Sequence, residues 1–159
     1  MRIFSFGGAS VKDAEGVKNL AKVLQTVGYD NTLVIVSAMG KTTNALEGVI
    51  NNYLNNIKEL QSSIQEVKKF HNAILLDLFE NENHPVFKTV ANLFEELNIF
   101  FNRNKSPDYN FVYDQVVGFG ELASTTIISN FLAELGIKNN LLDAREFIKT
   151  DSYYRNATV

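Results

Sequence analysis

The 159-residue sequence has no cysteine, no tryptophan and only two histidines. Without cysteine it can form neither disulfides nor thiolate metal sites, and it fits a reducing, cytoplasmic compartment. His71 and His84 lie far apart and have no ligand pattern beside them, so each is expected to be structural or solvated. Lys and Arg number 15 against 18 Asp and Glu, and no basic block occurs. We therefore expect no metal site built from protein ligands and no nucleic-acid partner.

Long hydrophobic runs are also missing. No apolar run approaches the roughly 20 residues that span a bilayer, so no membrane partner is expected. Met1 leads directly into a strand-like segment, where a signal peptide would carry a longer apolar region. Hydrophobic residues make up 45% and charged residues 21% of the chain, which is ordinary for a globular protein. The length favours a single domain.

The first forty residues predict a βαβ unit. Arg2–Phe6 alternates like a short strand, and Leu33–Val36 is a continuous apolar run, typical of a parallel strand buried on both faces. Apolar residues at helical spacing lie between them, and Gly28 is placed to end that helix. Ser10 and Asp13 have the capping-box spacing that opens a helix.

Helical periodicity dominates the rest of the chain. It predicts helices over 46–57, 60–78, 86–101 and 111–135, with Pro85 near the start of the third of these. The helices over 60–78 and 86–101 are expected to form an antiparallel hairpin inserted into an α/β layout. Residues 140–143 are a third strand candidate. Three strands would leave an unpaired sheet edge, so we expect the chain to stop in the middle of a fold.

Two polar segments follow the predicted strands. Gly7-Gly8-Ala9-Ser10 lies between a strand and a helix, which suits either a phosphate site or only a tight turn. Ser37–Asn44 follows the buried strand and resembles the end of a P-loop, but Ile35 stands where that motif requires glycine. Its hydroxyls could orient a polar substrate, or the segment could be a solvated turn.

Two further segments lie later in the chain. Gly118–Ala123 satisfies the G-x-G-x-x-A dinucleotide pattern, as in an oxidoreductase, but could also be a structural glycine pair at a helix start. Glu121 would repel a pyrophosphate there and suits an ammonium group better. Asp143-Ala144-Arg145 precedes Asp151, and Arg145 could clamp a carboxylate or form an ordinary surface ion pair.

Together, these segments resemble the motifs of the aspartate kinases, which belong to the amino-acid kinase family. Ser5–Val11 is similar to K-F-G-G-T-S-V, and Val36–Asn44 fits V-S-A-M-G-K-T-T-[ND] at every position. Gly120–Thr125 resembles a G-E-x-x-S-T run, and Asp143–Asp151 matches D-A-R-x-x-I-x-T-D. The third and fourth motifs and the helical insertion favour aspartate over glutamate or acetylglutamate as the substrate of this type of kinase.

The resemblance implies a three-layer αβα sandwich of the amino-acid kinase type, incomplete in this chain and with an inserted helical hairpin. Residues 1–159 would form the N-terminal part of the kinase domain, without the C-terminal ATP-binding part and the regulatory ACT domains. The implied reaction transfers the γ-phosphoryl of MgATP to the side-chain carboxylate of L-aspartate, the first step towards lysine, threonine and methionine. A homo-oligomer is possible.

The resemblance also implies roles for single residues. ATP phosphates would bind at Ser5, Phe6, Gly7, Gly8 and Ser10, and the catalytic positions would be Ser5 and Gly8. Aspartate would bind at Ser37, Ala38, Thr43, Glu121 and Arg145, with Glu121 meeting its α-ammonium. Asp143 and Asp151 would shape the rim of the pocket. Mg²⁺ would be held mainly by the substrate phosphates.

Two residues depart from the family pattern. Ser5 stands where the family has a phosphate-binding lysine, and Ala9 replaces a threonine. Removing one such electrostatic stabiliser costs about 3 kcal/mol, or a hundredfold or more in rate. Lys12 or Lys41 could compensate from nearby. The alternative is a catalytically weakened or regulatory homologue, and the chain alone is expected to be inactive because half of the ATP site would be missing.

Overall fold

The fold begins with the expected βαβ unit. The computed structural model describes residues 1–150, Tyr154 and Thr158. Strand β1 (Arg2–Phe6) pairs in parallel with β2 (Thr32–Val36), in a register that places Ser5 opposite Ile35. Helix α1 (Ala14–Val27) makes the crossover between them. Gly28 ends α1 with φ 80°, a conformation that glycine adopts without strain.

Helix α1 begins later than the capping-box spacing predicts. Its N-cap is Asp13, whose carboxylate accepts a hydrogen bond from the Gly16 N–H at 2.9 Å, so the prediction of a Ser10 cap is wrong. The chain still turns at Ser10, whose N–H donates to the Gly7 carbonyl, and the next residue, Val11, is fully buried. This turn presses the Ser10 carbonyl against the helix. A Cβ at Gly16 would lie 2.4 Å from that oxygen, so only glycine fits at this position.

The two strands are buried on one face only. Phe4, Phe6, Val34 and Val36 pack against the core, whereas Ile3 is 59% exposed and Ile35 49% exposed on the opposite face. The described helices pack only on the face of the sheet that carries Phe4 and Phe6. The expectation that the second strand is buried on both faces is therefore wrong for the described residues.

Four long helices form the bulk of the molecule. They are α2 (Thr42–Asn55), α3 (Leu60–Leu78), α4 (Pro85–Arg103) and α5 (Tyr109–Glu134), with a short 3₁₀ helix (Ile57–Glu59) before α3. α2 packs against α3 and α5, and α4 packs against α5 and α3, so the four helices close into one group. α3 and α4 are joined by a short connection, which confirms the predicted helical hairpin.

The predicted third strand is wrong. Residues 140–143 have no regular structure, and β1 and β2 are the only strands in the part of the chain that the structure describes. Leu141 and Leu142 are exposed and pair with no neighbouring strand. A one-turn helix, α6 (Ala144–Phe147), follows and is capped by the Asp143 side chain. Asp151 lies outside the described residues.

Helix α5 is the central apolar element. It is long and apolar enough to cross a membrane by length and composition, but half of its most apolar stretch is buried inside the fold, as in a core helix. Gly118–Ala123 lies in the interior of α5. The expectation of a glycine pair at a helix start is therefore wrong. The dinucleotide-binding alternative is wrong as well, because its fingerprint requires a turn between a strand and a helix.

His71 on α3 is a core residue. Its side chain is fully buried, and its Nδ1 donates to the Val67 carbonyl at 2.8 Å. The ring of Phe94 lies 5.6 Å away, and Nε2 has no hydrogen-bond partner among the described residues. Burial lowers the pKa of His71, because the charged imidazolium would lose its hydration, and the bond to Val67 only partly offsets this.

We expect His71 to make the fold acid-sensitive. Its pKa is lower in the folded state, so its contribution to stability is present above the unfolded value of about 6.5 and is lost as pH falls below it. The free energy of unfolding should fall by up to about 1.4 kcal/mol per pH unit in that window.

Urea denaturation between pH 7.5 and 5.5 measures this effect. A His71→Leu variant should lose this part of the pH dependence, whereas His84→Asn, at the partly exposed cap of α4, should keep it. Equal pH dependence in wild type and His71→Leu would contradict the assignment.

Candidate active site

The glycine turn after β1 contacts the segment after β2. The Gly40 N–H donates to the Gly8 carbonyl at 3.0 Å, and the Ser37 N–H donates to the Phe6 carbonyl at 3.0 Å. A Cβ at Gly8 would lie 2.6 Å from the Ala38 carbonyl oxygen, a distance that no side chain tolerates. The two segments that follow the strands are therefore locked together through their backbones.

Helix α5 packs against the segment after β2, on the side opposite the glycine turn. A Cβ at Gly120 would lie 2.9 Å from the Ala38 Cβ and 3.1 Å from the Thr42 Cγ2. The Ser124 hydroxyl donates to the Ser37 carbonyl at 2.8 Å. Residues 7–10, 37–44 and 118–125 thus meet around Ala38, as a shared binding site requires.

The side chains of the first segment point in different directions. Ser5 is exposed on the open face of the sheet, whereas Phe6 packs towards the core and offers a ligand only its backbone. Gly7 is exposed, and the Ser10 N–H donates to the Gly7 carbonyl at 2.8 Å, which closes the turn. A phosphate at this turn would meet backbone groups and short hydroxyls.

The second segment mixes structural and available groups. Ala38 is buried, and the Thr42 hydroxyl donates to the Met39 carbonyl at 2.6 Å, so that hydroxyl is part of the turn. Ser37 is exposed, and Thr43 is half-buried in the first turn of α2. Among the hydroxyls singled out from the sequence, Ser37 and Thr43 are thus better placed than Thr42 to contact a substrate.

A cavity of about 450 Å³ separates α5 from the segment around α6. Glu121 on α5 and Arg145 on α6 both line it, so the structure brings together two residues predicted from distant motifs. The Glu121 Oε2 atom is buried and has no hydrogen-bond partner in the described part of the chain. A buried carboxylate oxygen without a donor is unfavourable, and a ligand that carries N–H groups would relieve the penalty.

Arg145 is already engaged by Asp143. Its Nη2 lies 2.6 Å from the Asp143 Oδ2, and its Nε donates to both carboxylate oxygens at 3.0 and 3.1 Å. The hydrogen bond from Arg145 lowers the pKa of Asp143, and the same bond raises the pKa of Arg145. Asp143 and Arg145 therefore form an ion pair that is also part of the cavity wall. A substrate carboxylate would have to share Arg145 with Asp143.

Sequence reasoning missed several residues of this wall. Asp114 lines the cavity on the face of α5 that also carries Gly118 and Glu121, and Tyr113 and Val117 lie beside it. Thr125, part of the third motif but given no role there, lines the same face. Positions 114, 118, 121 and 125 repeat at helical spacing, so a helical projection of α5 could have found them. The first two predicted segments are not part of the cavity wall within the described residues; they meet α5 at its neighbouring face.

Comparisons with known proteins identify the family of this chain. The model of the amino acid kinase family matches residues 1–159. The chain belongs to the amino acid kinase family. Its relatives include chloroplastic aspartokinases 1 and 3 of Arabidopsis thaliana, each 31% identical over 95% of this chain and 27% of the relative. The family resemblance that the motifs indicate is confirmed.

Solved structures confirm the fold class. Two crystal structures of Escherichia coli aspartokinase III match 99% of this chain with TM-scores of 0.82 and 0.84 at 22% identity. The first was obtained with lysine and aspartate, and the second with aspartate and ADP. The chain spans about a quarter of the length of the Arabidopsis relatives and 34% of the chain of aspartokinase III.

Two glycines of α5 provide a matched pair for testing the contact with Ala38. Alanine at Gly118 meets no atom within 4 Å, so Gly118→Ala should stabilise the fold by up to about 1 kcal/mol through helix propensity. Alanine at Gly120 brings the same propensity gain but clashes with Ala38, which should cost about 1–3 kcal/mol. Thermal and urea unfolding measure both changes. Equal stability of the two variants would show that α5 does not pack tightly on Ala38.

Proposed function

We propose that this chain forms the aspartate-binding and phosphate-facing part of an aspartate kinase. The reaction is transfer of the γ-phosphoryl of ATP to the side-chain carboxylate of L-aspartate. The observation that carries the proposal is Glu121: a buried carboxylate oxygen without a protein donor, in the wall of a cavity of about 450 Å³ next to Arg145. An acidic amino acid has the complementary groups, because its ammonium suits Glu121 and its carboxylates suit a guanidinium.

The aspartate-binding roles divide between the cavity and the neighbouring segment. The Glu121 carboxylate, whose Oε2 has no donor among the described residues, would accept hydrogen bonds from the α-ammonium. Arg145, fixed by Asp143, would donate its remaining N–H groups to a substrate carboxylate. Ser37, Ala38 and Thr43 would lie along the path from the cavity to the glycine turn.

The glycine turn would face the phosphates. Gly7, Gly8 and Ser10 follow a strand, and the backbone contact of Gly8 with Gly40 fixes them beside the substrate segment. Transfer in such a site depends on holding the carboxylate oxygen in line with the γ-phosphorus, and on donors that neutralise the charge of the phosphoryl oxygens. No covalent enzyme intermediate is needed.

This part of the chain does not fit a protein-held metal ion. The described residues contain no group of three or more Asp, Glu, His or Cys side chains that could bind one. In the proposed reaction, Mg²⁺ would be held by the ATP phosphates. Because the chain corresponds to 34% of the aspartokinase III chain, we expect no phosphoryl transfer by the 159-residue chain alone.

Ser5 favours a second candidate, a weakened or regulatory homologue. Ser5 has no charge and lies on the exposed face of β1, two residues before the glycine turn. Lys41 lines a groove between α2 and α3, so Lys12, whose Cβ lies near Gly40, is the better placed of the two nearby lysines to compensate. The two candidates differ in how strongly phosphates bind at this turn.

Aspartate binding tests the main proposal. Calorimetric titration of the 159-residue chain with L-aspartate should show saturable binding, and Glu121→Gln should weaken it by about tenfold or more because the ammonium loses its charged partner. Succinate lacks the ammonium and should bind equally weakly to both proteins. Glu95→Gln, an exposed carboxylate on α4, is the matched control. Unchanged aspartate affinity in Glu121→Gln would contradict the proposed role.

The charge missing at position 5 can be restored. Ser5→Lys should increase affinity for tripolyphosphate or MgATP by about tenfold at low salt, because a charged donor then reaches the turn. Ile3→Lys places the same charge on the same exposed face, two residues farther from the turn, and should have little effect. If the Ser5→Lys and Ile3→Lys variants bind phosphates alike, Ser5 is not the defect that separates the two candidates.

A further inference from the structure

A second cavity of similar size lies outside the proposed aspartate site. It has a volume of about 440 Å³, lies between α2 and α3 and is open to solvent, and we call it the α2–α3 groove. α2 and α3 run in opposite directions because only residues 56–59 connect them. Lys41 and Phe70 therefore lie at one end of the groove, and Asn52 and Ser63 at the other. The distance along α2 is about 16 Å, at a rise of about 1.5 Å per residue.

The middle of the groove is open because of Gly48. A Cβ built at Gly48 meets no atom within 4 Å, so the space beside α2 is free for a ligand. Ala45 on α2 and Val67 on α3 line the same stretch, and Phe70 at its end is 40% exposed. These side chains offer an apolar surface of the kind that binds a small hydrocarbon or aromatic group.

Charged groups of opposite sign lie along this apolar surface. Lys41 stands at the end near Phe70, and Glu66 lies about one helical turn before Phe70 on α3. Neither forms an ion pair within the part of the chain that the structure describes. Both charges are therefore available to a ligand that carries an anion and a cation close together.

We infer that the α2–α3 groove binds a small zwitterion with an apolar body, of which a free amino acid with a nonpolar side chain is the simplest. Its carboxylate meets Lys41, its ammonium meets Glu66, and its side chain lies over Val67 in the space beside Gly48. Thr42 connects the groove with α5, because it lines the groove and its Cγ2 would lie 3.1 Å from a Cβ at Gly120. The inference does not depend on the proposed kinase function.

Titration with L-phenylalanine, followed by NMR shifts of backbone amides, tests the inference. We expect saturable shifts in residues 41–52 and 63–70 at concentrations up to about 20 mM, which detects a millimolar Kd. Phenylacetate lacks the ammonium and phenethylamine lacks the carboxylate, so each should bind about tenfold more weakly. Absence of saturable shifts, or equal binding of the three compounds, would overturn the inference.

Two glycine variants locate the site and separate it from the aspartate site. Gly48→Leu fills the groove and should abolish phenylalanine binding while aspartate binding remains. Gly118→Leu fills the other cavity, where a Cβ also meets no atom within 4 Å, and should have the opposite effect. Thermal unfolding checks that both variants fold. Phenylalanine binding that survives Gly48→Leu in a folded protein would place the ligand elsewhere and refute the assignment.

Discussion

The candidate site depends on one steric constraint, the close approach of three backbone segments around Ala38. The glycine turn touches Ala38 from one side at Gly8, and α5 touches it from the other at Gly120. Neither position has room for a Cβ, so the two glycines set how near the phosphate-facing turn lies to the helix that carries Glu121. The hydrogen bonds from Gly40 to Gly8 and from Ser124 to Ser37 hold the three segments in these relative positions. A looser contact would separate the three segments and with them the proposed phosphate and aspartate sites.

Electrostatics then give this arrangement its chemical character. Glu121 keeps a buried oxygen without a donor, while Arg145 is held at the cavity edge by Asp143. An unsatisfied buried acceptor lowers stability, so it is a property expected of a binding site rather than of a structural core. His71 is the contrasting case: it is equally short of a partner at Nε2, but it lies among aromatic rings in α3 and α4 and is expected to affect only the response of stability to pH.

Sequence patterns predicted correctly the elements whose structure depends mainly on their own segment of the chain. The strand Arg2–Phe6, the helix ended by Gly28, the start of α4 at Pro85 and the hairpin of α3 and α4 were all predicted from periodicity and end signals. The wrong predictions concern segments whose structure depends on contacts with other parts of the chain. Residues 140–143 are apolar enough for a strand but have no pairing partner among the described residues, and β2 is exposed on the face that no described helix covers. Ser10 has cap spacing, but the helix begins only after Asp13, whose side chain caps it.

The sequence by itself determined the family, the order of most elements and the three polar segments that meet around Ala38, because these are properties of short stretches of chain. Only the tertiary structure decided that the positions of Gly8 and Gly120 both pack on Ala38, that Phe6 rather than Ser5 faces the core, and that Glu121 shares a cavity with Arg145. These facts depend on contacts between residues far apart in the chain. Such contacts are fixed by close packing of side chains and backbone, which no single segment encodes.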